Sequence, residues 1–275
     1  MEWNPDRIWK TENASTMTPV ALKRIKLDLA DLKKVPLPDI HLHIKDADIS
    51  KVYVLMEGPT ETPYEGGMFY IRIQFPRNYP FSPPMVLLET TGGGNRCHYH
   101  RNMFPNGKIC ITILNTVENL GWSSAMNLSN ALVAVQSLFS EYSKEWSPLG
   151  VNVAHVKEFR ELHFSSIREQ VLDVAICGMV EDRYGDATYM PDELKKKMHE
   201  LFAKNYKKFE DYVRKQAPKQ GQLNASNTQY NWKSIWERLK ALKKGIQDPP
   251  LGPKKEDKQK KEDMEPKEEE KRENT

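Results

Sequence analysis

Leu22, Ile25, Leu29 and Leu32 recur at the three- and four-residue spacing that lines one face of a helix. Thr18-Pro19 predicts the start of that helix, because Thr caps free amides and Pro sacrifices no hydrogen bond at the first helical position; Pro36 predicts its end. The pattern then changes to short β-rich runs, His41-Leu42-His43-Ile44, Val52 to Met56, Phe69 to Phe75 and Met85 to Leu88. Gly58-Pro59, Glu65-Gly66-Gly67 and the Pro-rich stretch Tyr79 to Pro84 separate them as turns. Connections this short make successive strands neighbours, so the expectation is an antiparallel meander with the first helix packed on one face. Gly92-Gly93-Gly94 opens an irregular stretch that reaches Gly107, and loops of that length are usually functional. Leu128, Leu132, Val135 and Leu138 mark a buried central helix; Phe159 to Val180, Pro191 to Arg214 and Trp232 to Lys244 read as three more. The fold class is α+β.

With 275 residues, 39% hydrophobic and 9% aromatic, the chain can bury one principal core and carry an extension. Residues 1–17 read as an arm with Trp3, Ile8 and Trp9 as its large anchors. Residues 249–275, almost wholly Lys, Glu and Asp, read as a disordered tail, because they cannot bury enough surface to offset their ordering entropy. There is no apolar run of membrane-spanning length, and the start lacks the basic-then-apolar order of a secretory leader. The tail's mixed signs argue against a polybasic anchor, so no membrane partner is expected. A net charge of +3, from 41 basic and 38 acidic residues, argues against a nucleic-acid partner. Three cysteines, Cys97, Cys110 and Cys177, form no paired framework and point to reduced thiols in cytoplasm or nucleus.

The candidate chemistry centres on Cys110, at the edge of a strand-like apolar run in the segment His100 to Leu114, with Trp122 beyond it. A thiol acts as nucleophile through its thiolate, which hydrolases usually secure with an oriented His. His98 and His100 lie close in sequence, but neither brings an evident orienting partner, and no signature of the familiar cysteine proteases follows. A thiol that accepts an acyl group from another thioester needs no such dyad, so transfer fits better than hydrolysis. Asn102 is the candidate to stabilise charge on the acyl oxygen; its alternative role is to brace its own loop. Cys97, His98, His100 and Cys110 match no tetrahedral zinc spacing, so no metal is expected, and Cys177 reads as a core residue.

Taken in order, several segments resemble the ubiquitin-conjugating enzyme family. They are Ala21-Leu22-Lys23-Arg24-Ile25, Gly58-Pro59 with Thr62 to Gly67, Phe75 to Pro84, Asn106-Gly107-Lys108-Ile109-Cys110, Trp122-Ser123 and Leu128 to Leu138. The later helices, including Ile167 to Val171 and Tyr206 to Glu210, resemble the long extension of the family's Z-type members. The resemblance implies a catalytic domain over residues 18–172 and a helical extension over 173–248. It implies that Cys110 holds ubiquitin, or a ubiquitin-like modifier such as FAT10, as a thioester. The modifier would come from an activating enzyme, which uses the ATP; no cofactor binds this chain directly. Asn102 takes the family's asparagine position, although His100-Arg101-Asn102 replaces the usual His-Pro-Asn, and Ser147 falls at the site lip before Pro148. Lys23 and Arg24 match positions that dock on the activating enzyme. Pro80, Phe81 and Ala125 match an apolar patch for RING ligases, with Ser124 where Pro is frequent. HECT ligases and protein substrates complete the implied partners. A non-catalytic scaffold is the alternative.

Overall fold

A computed structural model describes residues 17–45, 47–94, 96–117, 121–140, 156–225 and 228–247. Residues 1–16, Ser147 and the charged tail, with the expectations made for them, lie outside the described residues. Helix α1, Pro19–Lys34, starts where Thr18 Oγ1 accepts from the Ala21 amide at 3.2 Å. Ala21, Ile25 and Leu32 are buried, while Leu22 and Leu29 pack partly buried against the same core.

Strands β1 (Ile40–Ile44), β2 (Lys51–Glu57), β3 (Met68–Gln74) and β4 (Met85–Leu88) form the antiparallel meander, paired in chain order. Every residue of β3 is buried. A half-solvated sheet would alternate, so both faces must be covered. On one face Val52, Val54 and Met56 stand opposite Ile73, Ile71 and Phe69, and Phe69 meets Phe139, after α2 (Leu128–Leu138), with ring centroids 4.3 Å apart. Asn127 caps α2 reciprocally with Asn130.

The other face carries Tyr53 and Leu55 opposite Arg72 and Tyr70, and it is roofed by the later helices. Helix α3 (Val156–Gln170) continues through a π-helical stretch, Val171–Gly178, into a last turn, Met179–Glu181; α4 (Asp192–Gln216) and α5 (Trp232–Gln247) follow. The Tyr70 hydroxyl donates to the Tyr189 carbonyl at 3.2 Å, and Asn205 of α4 donates to Glu57 of β2 at 2.9 Å. His43 of β1 faces Glu193 at 3.3 Å. One apolar cluster therefore joins the meander, α1 and α2 to the extension.

The sequence predicts one plain helix over Phe159 to Val180, and the π-helical widening is the difference. A π stretch leaves carbonyls badly placed for the ordinary ladder. Arg238 of α5 donates to the Asp173 carbonyl at 3.0 Å and also pairs with the carboxylates of Asp173 and Glu181. Burial is balanced there by charge on every side of the guanidinium. Arg168 inserts similarly, donating to the Glu65 carbonyl with its guanidinium 5.2 Å over the Tyr212 ring. Among the described residues no helix is long and apolar enough to cross a membrane.

Candidate active site

The stretch before Cys110 folds back on itself. Met103 bridges Ile109, Phe104 N–H donates to the Lys108 carbonyl at 2.9 Å, and Leu88 N–H of β4 donates to Gly107 at 2.9 Å. Gly107 makes this turn with a φ of 84°, and a Cβ there would lie 2.3 Å from the Leu88 carbonyl oxygen. Only glycine fits. The strand-like run expected after Cys110 is instead a 3-10 turn, Thr112–Leu114, closed by Asn115 at a φ of 53°. Asn tolerates that left-handed conformation, and here its side-chain oxygen also accepts from the Gly121 and Trp122 amides at 3.0 Å each.

Cys110 emerges half-buried between these turns, its Sγ–H donating to the Thr116 carbonyl at 3.2 Å. Its backbone is held on both sides by Asn102: Cys110 N–H donates to the Asn102 carbonyl at 2.8 Å, and the Asn102 side-chain amide donates to the Cys110 carbonyl at 2.6 Å. Asn102 is thus a loop brace in this conformation. The His100 ring is buried and its Nδ1 accepts from the Asn102 amide at 3.1 Å, so it serves backbone geometry. His98 is tied through its own amide to Gln170 of α3 at 2.9 Å. The thiol's own partner is the Thr116 carbonyl, which gives the hydrolase reading no support.

The three thiols divide sharply. Cys97 and Cys177 are buried, and burial pushes each up to about 12. Both are inert protonated thiols at neutral pH. A groove of about 430 Å³ lined by Arg101, Asn102, Ile111, Thr112, Val117 and Leu138 adjoins Cys110 through its neighbour Ile111 and its brace Asn102. Cys97, His98, His100 and Cys110 do not converge, and among the described residues no three His, Cys, Asp or Glu side chains form a metal-holding group.

On the flank, Asp28 of α1 is buried at 4% exposure and organises three segments. It accepts from the Tyr79 hydroxyl, from the Leu128 amide at the start of α2 at 3.0 Å, and from Arg24 at 2.7 Å. Arg24 also donates to the carbonyls of Ser124 at 3.0 Å and Met126 at 2.6 Å, so its charge is spent bracing the loop that carries Ala125. Lys23 beside it is exposed. Trp122 Nε1 donates to the Pro80 carbonyl at 2.7 Å, fixing the turn on which Phe81 stands 69% exposed; Ala125 is exposed as well, and Pro80 itself is buried. Asn115, Thr116 and Asp28 carry this geometry but were invisible to motif reasoning; an Asn after a short apolar run is the only local hint, through its turn preference.

A profile described as "Ubiquitin-conjugating enzyme" matches residues 24–172 of the chain. The curated "Ubiquitin-conjugating enzyme E2 Z" of Xenopus tropicalis is 30% identical over 253 residues, covering 90% of this chain and 78% of that protein. The Homo sapiens protein of the same name is 30% identical over 251 residues, covering 89% of this chain and 68% of its own length. A "Ubiquitin-conjugating enzyme E2" of African swine fever virus is 35% identical over 136 residues, 48% of this chain and 58% of the viral protein. With the meander, the flanking helices and the segment around Cys110 in family order, the chain belongs to the ubiquitin-conjugating enzyme family and is of its Z type.

Proposed function

We propose that the chain carries ubiquitin or a ubiquitin-like modifier, FAT10 among the candidates, as a thioester on Cys110. The supporting observation is that Cys110 is the half-exposed thiol among three, with its backbone pinned by Asn102 and an open groove alongside. In the charging step the Cys110 thiolate attacks the modifier's C-terminal carbonyl. A new C–S bond forms and the thioester to the activating enzyme breaks, releasing that enzyme's thiolate. The exchange is nearly balanced, so no general base of hydrolase type is needed. ATP enters earlier, on the activating enzyme. In the second step a substrate lysine amine, or a ligase cysteine, attacks the same carbonyl and Cys110 leaves as thiolate. The incoming ammonium must first lose its proton, which desolvation in the groove favours.

Lys23 is the exposed cation offered to the activating enzyme, and Arg24 acts behind it by holding the Ser124 to Met126 loop. Phe81 and Ala125 offer a ligase the exposed apolar patch, with Phe81 as its anchor, whereas Pro80, expected to share that surface, is buried and supports it from beneath through its carbonyl to Trp122. Ser147 is assigned to the lip of the site by its place in the chain. The test is direct. Incubation with activating enzyme, ubiquitin and ATP gives an adduct that a reducing agent removes and that Cys110→Ala cannot form; absence of that adduct from the wild type overturns the reading and leaves a binding scaffold.

A further inference from the structure

The Gly92-Gly93-Gly94 run turns out to be one half of a contact with the extension. Positive φ values of 75°, 82° and 88° curl the three glycines, so that the amides of Thr91, Gly92 and Gly93 face one point while that of Gly94 donates back to Thr91 Oγ1 at 2.8 Å. Such a concave run of N–H groups is an anion cup. Its occupant is Asp186, whose Oδ2 accepts from Thr91 at 2.9 Å and Gly92 at 2.7 Å, while Oδ1 accepts from Gly93 at 3.0 Å. Asp186 is delivered by a turn of its own, in which the Asp182 side chain accepts from the Ala187 amide at 3.0 Å. Burying a carboxylate is costly unless several donors meet it, and here three backbone donors do.

From that cup the chain is pinned almost residue by residue toward Cys110. The Thr91 carbonyl accepts from the Arg96 and Cys97 amides at 3.2 and 3.1 Å, and the Arg96 guanidinium lies 4.9 Å over Tyr184 of the extension. Gln170 then receives the His98 amide, and the Tyr64 hydroxyl donates to the Tyr99 carbonyl at 2.6 Å. The next links are His100 to Asn102 and Asn102 to Cys110. An error at the start of this series would reach its end, because each bond fixes the frame for the next.

We propose that Asp186 is a positioning residue for the chemistry at Cys110: by filling the cup of the Thr91, Gly92 and Gly93 amides, it lets the extension set the loop that holds Asn102 against the reacting cysteine. The inference rests on the reading of Cys110 as the acceptor thiol. A loop displaced by about 1 Å costs on the order of a hundredfold in rate, so a partial displacement should cost at least tenfold.

The experiment charges the full-length chain with ubiquitin, quenches the activating enzyme and follows single-turnover discharge onto free lysine, normalised to charged protein. Asp186→Asn keeps the side chain's size but turns an NH2 toward donors. Gly93→Ala attacks the same contact from the other side, because its Cβ has room but its φ of 82° is strained for alanine. Arg238→Gln removes an equally buried ionic hub of the extension that makes no bond to residues 91–98 in the contacts above. The expected result is discharge slowed tenfold or more in both cup variants, and wild-type discharge in Arg238→Gln despite a lower Tm. If one cup variant fails to fold, the other decides. Wild-type discharge in the cup variants, or equal slowing in Arg238→Gln, overturns the proposal. A wild type that never charges instead sinks the reading of Cys110, which separates the two failures.

Discussion

Asn102 and Cys110 grip each other twice, through Cys110 N–H to the Asn102 carbonyl at 2.8 Å and Asn102 Nδ2–H to the Cys110 carbonyl at 2.6 Å. The side chain that could steady a developing oxyanion is therefore already engaged in holding the nucleophile's own peptide. Asn102→Ala should leave charging intact and slow lysine discharge by about ten- to a hundredfold through lost preorganisation. Asn102→Asp should be as slow or slower, since it faces a carboxylate oxygen with a carbonyl oxygen. Single-turnover gels under non-reducing conditions measure both. Aspartate discharging at the wild-type rate would remove the brace from the account.

Thiol chemistry provides an independent check. Cys97 and Cys177 are buried and held protonated, whereas Cys110 is half-exposed. Brief treatment of the native chain with N-ethylmaleimide should add one mass increment, mapped to Cys110, and treatment in guanidinium should add three. Two or more fast additions to the native chain would show that the burial assignments are wrong.

Asp28 joins α1, the Tyr79 turn and the start of α2 from a site that is 4% exposed. Removing it strands the Leu128 amide and unpairs Arg24, so Asp28→Ala should cost about 3 kcal/mol or more in denaturant unfolding. Tyr79→Phe deletes one bond to a charged acceptor and should cost roughly 1.5–3 kcal/mol. Because the same hub supports Phe81 and Ala125, both variants should also weaken ligase-stimulated discharge. A near-neutral Asp28→Ala would contradict the hub.

Alkaline pH should destabilise the chain. The ordinary thiol value is 9.0, and burial raises Cys97 and Cys177 to about 12. Between those values the unfolded chain has lost protons that the native chain keeps, so stability is full below about pH 9 and falls as pH rises toward 12. Burial and the Asp28 bond raise Tyr79 in the same direction, and burial raises Tyr70. Thermal unfolding from pH 8 to 11 should show a falling Tm; a flat profile would count against these groups.

Much of this architecture was legible because its signals are local. The Thr18 cap, the apolar stripe of α1, the turns that bound the meander and the periodicity of α2 all act within a few residues, and all reappear at their expected places. The π-helical stretch was not legible, because its support arrives from Arg238, far along the chain. The Gly triplet was seen as a loop, but its acidic occupant, Asp186, could not be inferred from spacing. The sequence offers Arg24 as a docking cation and does not show its brace, because helical periodicity tells which way a residue faces, not which loop closes over it. In the site, Cys110 stood out through its neighbours, while Thr116 and Asn115 depend on a 3-10 turn that an apolar run disguises as a strand.

The helix that begins at Val156 crosses position 172, where the family match stops, without a break, and its continuation roofs the outer sheet face. A fragment cut at that border would end in mid-helix and bare Leu55 and Tyr70 to water. Expression of the shorter piece should therefore yield aggregates, and recombining catalytic cores among relatives would require transplanting the roof together with the floor.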